Sequence, residues 1–135
     1  MPLELPELLA IMVCETVIRD ERSKNISLIG TFNAILAPSF PCRHDRLHVY
    51  VSITNGRGAY NGEIRLTHYG EQMETLLKAE GNLQMDDPND IYDLDFEFRG
   101  VVFPRPGKYT FEFAANGRMI GSRPFLVKEE RSAPG

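Results

Sequence analysis

The chain has no tryptophan and only two cysteines, Cys14 and Cys42, among 135 residues. So few cysteines exclude a secreted scaffold stapled by disulfides. Without tryptophan there is no flat indole platform of the kind that stacks on sugar rings. Long apolar runs are missing as well: the stretch Leu8 to Cys14 is far short of the ~20 residues that span a bilayer. Positive charge is not in excess, with 15 Lys and Arg against 19 Asp and Glu and a formal charge of −4. A protein that neutralises nucleic-acid phosphates would show the opposite balance. No serine sits in a Gly-x-Ser-x-Gly elbow, and there is no glycine-rich phosphate loop. The opening, Met1 to Glu7, is acidic and broken by Pro2 and Pro6, unlike the basic start of a signal peptide. These absences predict a cytoplasmic protein with no membrane or nucleic-acid partner and no cofactor.

What is present is ordinary globular material. Hydrophobic residues make up 42% and charged residues 25%, enough for one core without metal or disulfide. One domain is expected over 1–135, with an ordered core of about 8–128 and a flexible tail at 129–135. Leu47, Val49, Val51 and Ile53 alternate with His48, Tyr50 and Ser52. That period of two marks a half-buried strand. Ile64 and Leu66 repeat it, as do Leu77, Ala79, Leu83 and Met85. The clearest case is Tyr92, Leu94, Phe96 and Phe98 against Asp93, Asp95, Glu97 and Arg99. Tyr109, Phe111 and Phe113 follow. Asn55-Gly56 and Asn116-Gly117 read as hairpin turns, since both residue types tolerate positive φ. The second turn would set Phe113 beside Ile120, with a bulge between Gly121 and Pro124 restoring Phe125 and Val127 to the core. Pro38 to Arg46 reads as an extended loop. Seven to nine short strands without βαβ spacing predict an all-β, antiparallel β-sandwich, Ig-like or Greek-key-like, with no substantial helix.

Several local sequences carry a resemblance. Leu28-Ile29-Gly30-Thr31-Phe32-Asn33, Pro38-Ser39-Phe40-Pro41 and Pro106-Gly107-Lys108-Tyr109, with Ile120 to Phe125 near the end, resemble a family of small bacterial all-β domains of unknown function. The likeness covers residues 8 to 128. It implies a compact bacterial β domain and no catalytic residues.

Four groups of residues are candidates for chemistry. Cys42, His44, Asp45 and His48 lie within seven residues and are all metal-ligating types, but their spacing matches no standard zinc module, and a site would need a further ligand. The reading is a polar loop with no metal. Asp86, Asp87, Asn89 and Asp90 could hold calcium, though Pro88 and the acids suit a solvated turn. Asp93, Asp95 and Glu97 share a strand face and could imitate a carboxylate pair, while alternate acids also discourage edge-to-edge pairing. Finally, Ile11 and Val13 alternate with apolar Met12 and Cys14, and Ile29 and Ile35 sit opposite Leu28 and Phe32 in a single strand. A sheet face that is apolar on both sides must be covered by something. Ile11, Val13, Ile29 and Ile35 are therefore the predicted interface, with the segment Leu3 to Leu9 as the internal alternative. The expected function is a non-enzymatic module that binds another protein or itself. A hydrolase or metal-dependent enzyme using the 38–48 loop is the alternative.

Overall fold

Alternating apolar side chains need a surface to bury against, and here two sheets supply it to each other. The computed structural model describes residues 4–70 and 72–130, and among these there are nine strands and no helix. They are β1 (Glu7–Arg19), β2 (Ile26–Thr31), β3 (Ala34–Ala37), β4 (Cys42–Thr54), β5 (Gly58–Tyr69), β6 (Met73–Met85), β7 (Tyr92–Phe103), β8 (Gly107–Ala115) and β9 (Arg118–Glu129). A four-stranded sheet runs β2-β1-β4-β7 and a five-stranded sheet runs β3-β9-β8-β5-β6. The fold is the β-sandwich that the alternation predicts. Glu129 closes β9, while residues 131–135 of the expected tail, like Leu3, lie outside the described residues.

The inward rows meet in an aromatic layer. Phe98 of the four-stranded sheet stacks on Phe111 of the other sheet, with ring centres 5.7 Å apart, and Phe111 stacks in turn on Phe125 at 5.6 Å. Phe103 meets Tyr109 and Phe125 edge-on, the geometry that aromatic quadrupoles favour. The buried Tyr109 ring sends its hydroxyl to the Arg105 carbonyl at 2.5 Å, so its polar end is satisfied.

Four sequence expectations change on folding. Asn55-Gly56 does not close a hairpin, because β4 and β5 belong to different sheets. It is an arch over the end of the sandwich. Asn55 does take positive φ (61°), but its N–H goes to the Pro88 carbonyl rather than across a hairpin. A Cβ on Gly56 would meet the end of the Met85 side chain, which would have to move aside. Second, β3 runs parallel to β9, whereas every other pairing is antiparallel. Third, strand begins at Cys42, so the predicted 38–46 loop is shorter than expected. Fourth, residues 25–37 are two strands rather than one. Gly30 at φ 69° and the break after Thr31 carry the chain from one sheet to the other. A face shared by Ile29 and Ile35 therefore does not exist.

The Asn116-Gly117 hairpin forms as expected, with Ala115 opposite Arg118 and both turn residues at positive φ (51° and 79°). The bulge lies earlier than predicted. It falls at Ile120, so that Phe113 faces Gly121 rather than the expected Ile120, and Phe125 and Val127 return to the core. Nothing lies within 4 Å of where a Gly117 Cβ would stand, so a side chain there meets backbone strain alone. Gly117→Val should destabilise by more than about 1 kcal/mol, the scale of a forced left-handed β-branched residue. A chemical-denaturation midpoint unchanged from the parent would contradict the turn assignment.

Candidate functional site

The outer face of the four-stranded sheet carries the densest polar arrangement. Pairing sets its side chains in rows. Thr31, Cys14, His48 and Glu97 form one row, Met12, Tyr50 and Asp95 the next, and Ala10, Ser52 and Asp93 a third. Each opposed pair shares a face because antiparallel partners point the same way. Long side chains then reach diagonally. His48 Nδ1 lies 2.8 Å from Asp95 Oδ1, an N–H donating to a carboxylate. One step along, the Tyr50 hydroxyl donates to Asp93. Glu97 instead accepts from Arg99 Nε at 2.6 Å. All three acids of the β7 face are thus engaged by neighbours.

Cys14 and His48 are buried although both face outward. β1 is an interior strand, so side chains of β2 and β4 close over its outer row. Burial, and then the nearby Asp95 charge, push the Cys14 thiol above its usual range. Cys14, His48 and Asp95 are the residue types of a nucleophile, a base and an orienting acid. A protonated, enclosed thiol is a poor nucleophile. Burial and the bond to Asp93 likewise raise Tyr50.

The sequence-predicted metal candidates do not converge. His48 belongs to the ladder just described. Cys42 and His44 sit half-buried near the start of β4, His44 beside the Phe32 ring at 6.0 Å. Asp45 is exposed and lies 3.9 Å from Arg43. Among the described residues, no three His, Cys, Asp or Glu side chains are placed to hold a metal ion. In the acidic 86–90 loop, Asp87 Oδ1 accepts the Asn89 N–H at 2.9 Å, and Tyr92 accepts the Asp86 N–H at 2.9 Å. The loop's polar groups build its own turn.

The predicted interface is divided. Ile11, Val13 and Ile35 belong to the chain's own core, Ile35 being only 8% exposed. The reason is topological: β1 is interior to its sheet, and β3 crossed to the other sheet with Ile35 turned inward and Leu36 outward at 61% exposed. Ile29 alone is free, at 48%. Beside it on the same face stands Ile18 at 47%. Thr16 pairs with Ile29 and Ile18 with Ser27, which places the two isoleucines diagonally at the β1–β2 corner.

A different concavity lies where the β5–β6 and β7–β8 connections approach each other. It measures about 870 Å³ and is lined in part by His68, Glu74, Arg105 and Gly107. Arg105 and Glu74 pair at 2.5 Å across its mouth. Burial, then the Arg105 charge, lowers the His68 pKa, and its Nδ1 has no protein partner. Sequence reading passed over this histidine because inward phase alone does not separate a core histidine from a cleft histidine.

Sequence reading also passed over the arginines at the far end of the outer face. Arg46 is directly opposite Arg99, and Arg43 lies three residues further along β4. Fifty-three residues separate Arg46 from Arg99 in the chain, and only the β4–β7 register brings them together.

Known proteins give the chain relatives in sequence and in fold. The model of a family of unknown function matches residues 9–128. No curated protein matches the sequence. A solved structure of the alkylpurine DNA glycosylase AlkC from Pseudomonas fluorescens, bound to DNA containing an abasic site analog, gives a TM-score of 0.52 at 10% identity. That match covers 91% of this chain and 30% of the other. β-Glucosidase 3B of Thermotoga neapolitana gives 0.48 at 13% identity, over 90% of this chain and 16% of that one. The β-glucosidase of Listeria innocua gives 0.45 at 11%, over 91% and 16%. This chain corresponds to at most 30% of any of the three, and the likeness to the glycosylase is one of fold alone.

Proposed function

We propose that this chain, which belongs to that family of unknown function, DUF6941, is a non-enzymatic interaction module that associates with a second copy of itself. The observation that carries the reading is the pair Ile18 and Ile29, half-exposed side by side on one sheet face. Fully burying an aliphatic side chain of this size is favourable by about 1.5–3 kcal/mol. Both isoleucines are already half covered, so a two-fold contact recovers about half of that for each of its four side chains, and one patch meeting its own copy needs no second evolved surface. Thr16 and Ser27 beside the isoleucines are small and uncharged, so they add no charge that the contact would have to desolvate. The two thiols, Cys14 and Cys42, are free, which agrees with a reducing, cytoplasmic setting. No helix among the described residues is long and apolar enough to cross a membrane.

Light scattering across the micromolar range tests the reading. The parent protein is expected to be a dimer, and Ile29→Glu a folded monomer, because the carboxylate would be buried without a partner in the contact. A parent protein that stays monomeric at high micromolar concentration overturns self-association. A dimer indifferent to Ile29→Glu overturns this patch as the contact.

A further inference from the structure

The arginine end of the outer face is built in a way that the rest of the sandwich does not require. Arg46 and Arg99 are directly opposed on β4 and β7, both outward, since Leu47 and Phe98 beside them are turned inward. Opposed residues sit with Cβ atoms about 5 Å apart, and like charges in that relation repel. Gly100 then takes φ 64°. The alternation of β7 resets there, so that Val101 and Phe103 return to the core and Arg43 emerges on the same side as Arg46. A Cβ on Gly100 would stand 3.0 Å from Arg43 Nη2, so the guanidinium lies against the bare backbone of the glycine. The three arginines border an open depression of about 590 Å³ to which Thr16 and His44 also contribute.

Charge within the depression is unevenly matched. Arg99 is held by Glu97 at 2.6 Å, and Arg43 is only 3.9 Å from the exposed Asp45. Glu15 contributes the other carboxylate of the lining. Arg46 makes no ion pair among the described residues. In a chain of net charge −4, three guanidinium groups gathered at one hollow run against the overall balance.

We propose that this depression is an oxyanion site that takes a phosphate group. Guanidinium groups present planar pairs of N–H donors that match tetrahedral phosphate oxygens, and charge-assisted bonds of this kind are about twice as strong as neutral ones. A dianion between Arg46 and Arg99 converts their repulsion into two attractions, with Arg43 closing from the Gly100 side. The Thr16 hydroxyl supplies a further donor. A carboxylate, with one charge and two oxygens, would use fewer of these groups. The three arginines stand on β4 and β7, apart from the isoleucine pair, while Thr16 borders both sites.

Inorganic phosphate, titrated against the isotopically labelled protein at fixed ionic strength and followed by amide and arginine side-chain NMR, provides the test. Saturable shifts are expected at residues 43–46 and 99–100, stronger with phosphate, or with its tetrahedral analogue sulfate, than with acetate. Arg46→Gln removes a charge without orphaning an acid, and should weaken binding by about tenfold, the scale of one charge-assisted contact. Arg22→Gln, in the exposed β1–β2 turn, should leave it unchanged. Shifts that are absent, that spread equally over all arginines, or that persist undiminished in Arg46→Gln overturn the proposal. If Arg46→Gln fails to fold, the localisation and saturation of the shifts in the parent protein decide alone.

Discussion

Phe111→Ala is expected to destabilise the domain by about 3–5 kcal/mol, the range for removing a fully buried aromatic ring. Phe111 is wholly inaccessible and stands between the sheets, stacked on Phe98 on one side and on Phe125 on the other. Its loss takes away both stacking partners at once. The neighbouring strands cannot collapse into the gap, because β8 is held on both sides, by β5 and by β9. Against a total stability of about 5–15 kcal/mol for a domain, such a cost brings the protein near its unfolding threshold. A urea titration checks this: the midpoint should fall steeply while the slope stays that of a two-state transition. Leu36→Ala, at an exposed side chain, is the control and should stay within about 0.5 kcal/mol of the parent. Equal losses for the two variants would mean that the aromatic layer is not the core.

Most of the fold was legible because period-two patterns are local. The segments holding Leu47 to Ile53, Tyr92 to Phe98 and Tyr109 to Phe113 each declared a strand and its inward face without reference to any other. Connections were less legible. Asn55-Gly56 has the composition of a hairpin turn, yet the same positive φ serves an arch between sheets equally well, and nothing within the dipeptide tells which partner the next strand will take. The division at Gly30 to Asn33 was hidden for a similar reason: Ile26, Leu28, Phe32 and Leu36 fit one strand face on paper, while a left-handed glycine lets the chain change sheets midway. The bulge beside the Asn116-Gly117 hairpin was correctly required by the phase of Phe125 and Val127, but phase does not fix which residue bulges.

The candidate site was less legible still. His48 and the β7 acids were placed on outward faces from alternation, and the structure has them there. That His48 bonds Asp95, and Tyr50 bonds Asp93, follows from inter-strand register, which depends on which strands become neighbours. The same holds for Arg46 and Arg99. Doubly apolar character in β1 was read as an unsatisfied face; its cause is that an interior strand has flanking side chains over its outer row, and Cys14 is buried under them without any partner molecule.

Ile35 and Ile29 separate these two situations, and replacing each by glutamate should give opposite results. Ile35 is turned into the core beside Val127, its partner in the parallel β3–β9 pairing. A carboxylate there would enter the apolar core cluster, and burying an unpaired charge costs several kcal/mol. Two responses are open to the chain: global unfolding, or release of the four-residue edge strand β3 into solvent. Release would also expose Ala37, which is buried, and would break the bonds from Leu126 N–H to the Asn33 carbonyl and from Glu130 N–H to the Ala37 carbonyl at its two ends. Either response is a loss of about 3 kcal/mol or more, the range found when a buried site is left with an uncompensated charge. Ile29→Glu, measured as a monomer, places its charge in water on the outer face and should stay within about 0.5 kcal/mol of the parent. Hydrogen exchange distinguishes the two outcomes for Ile35→Glu, since release of β3 exposes the β9 amides that face it while β8 stays protected. Equal stabilities for the two glutamate variants would show that β3 does not cross to the five-stranded sheet, and that residues 25–37 form the single strand their sequence suggests.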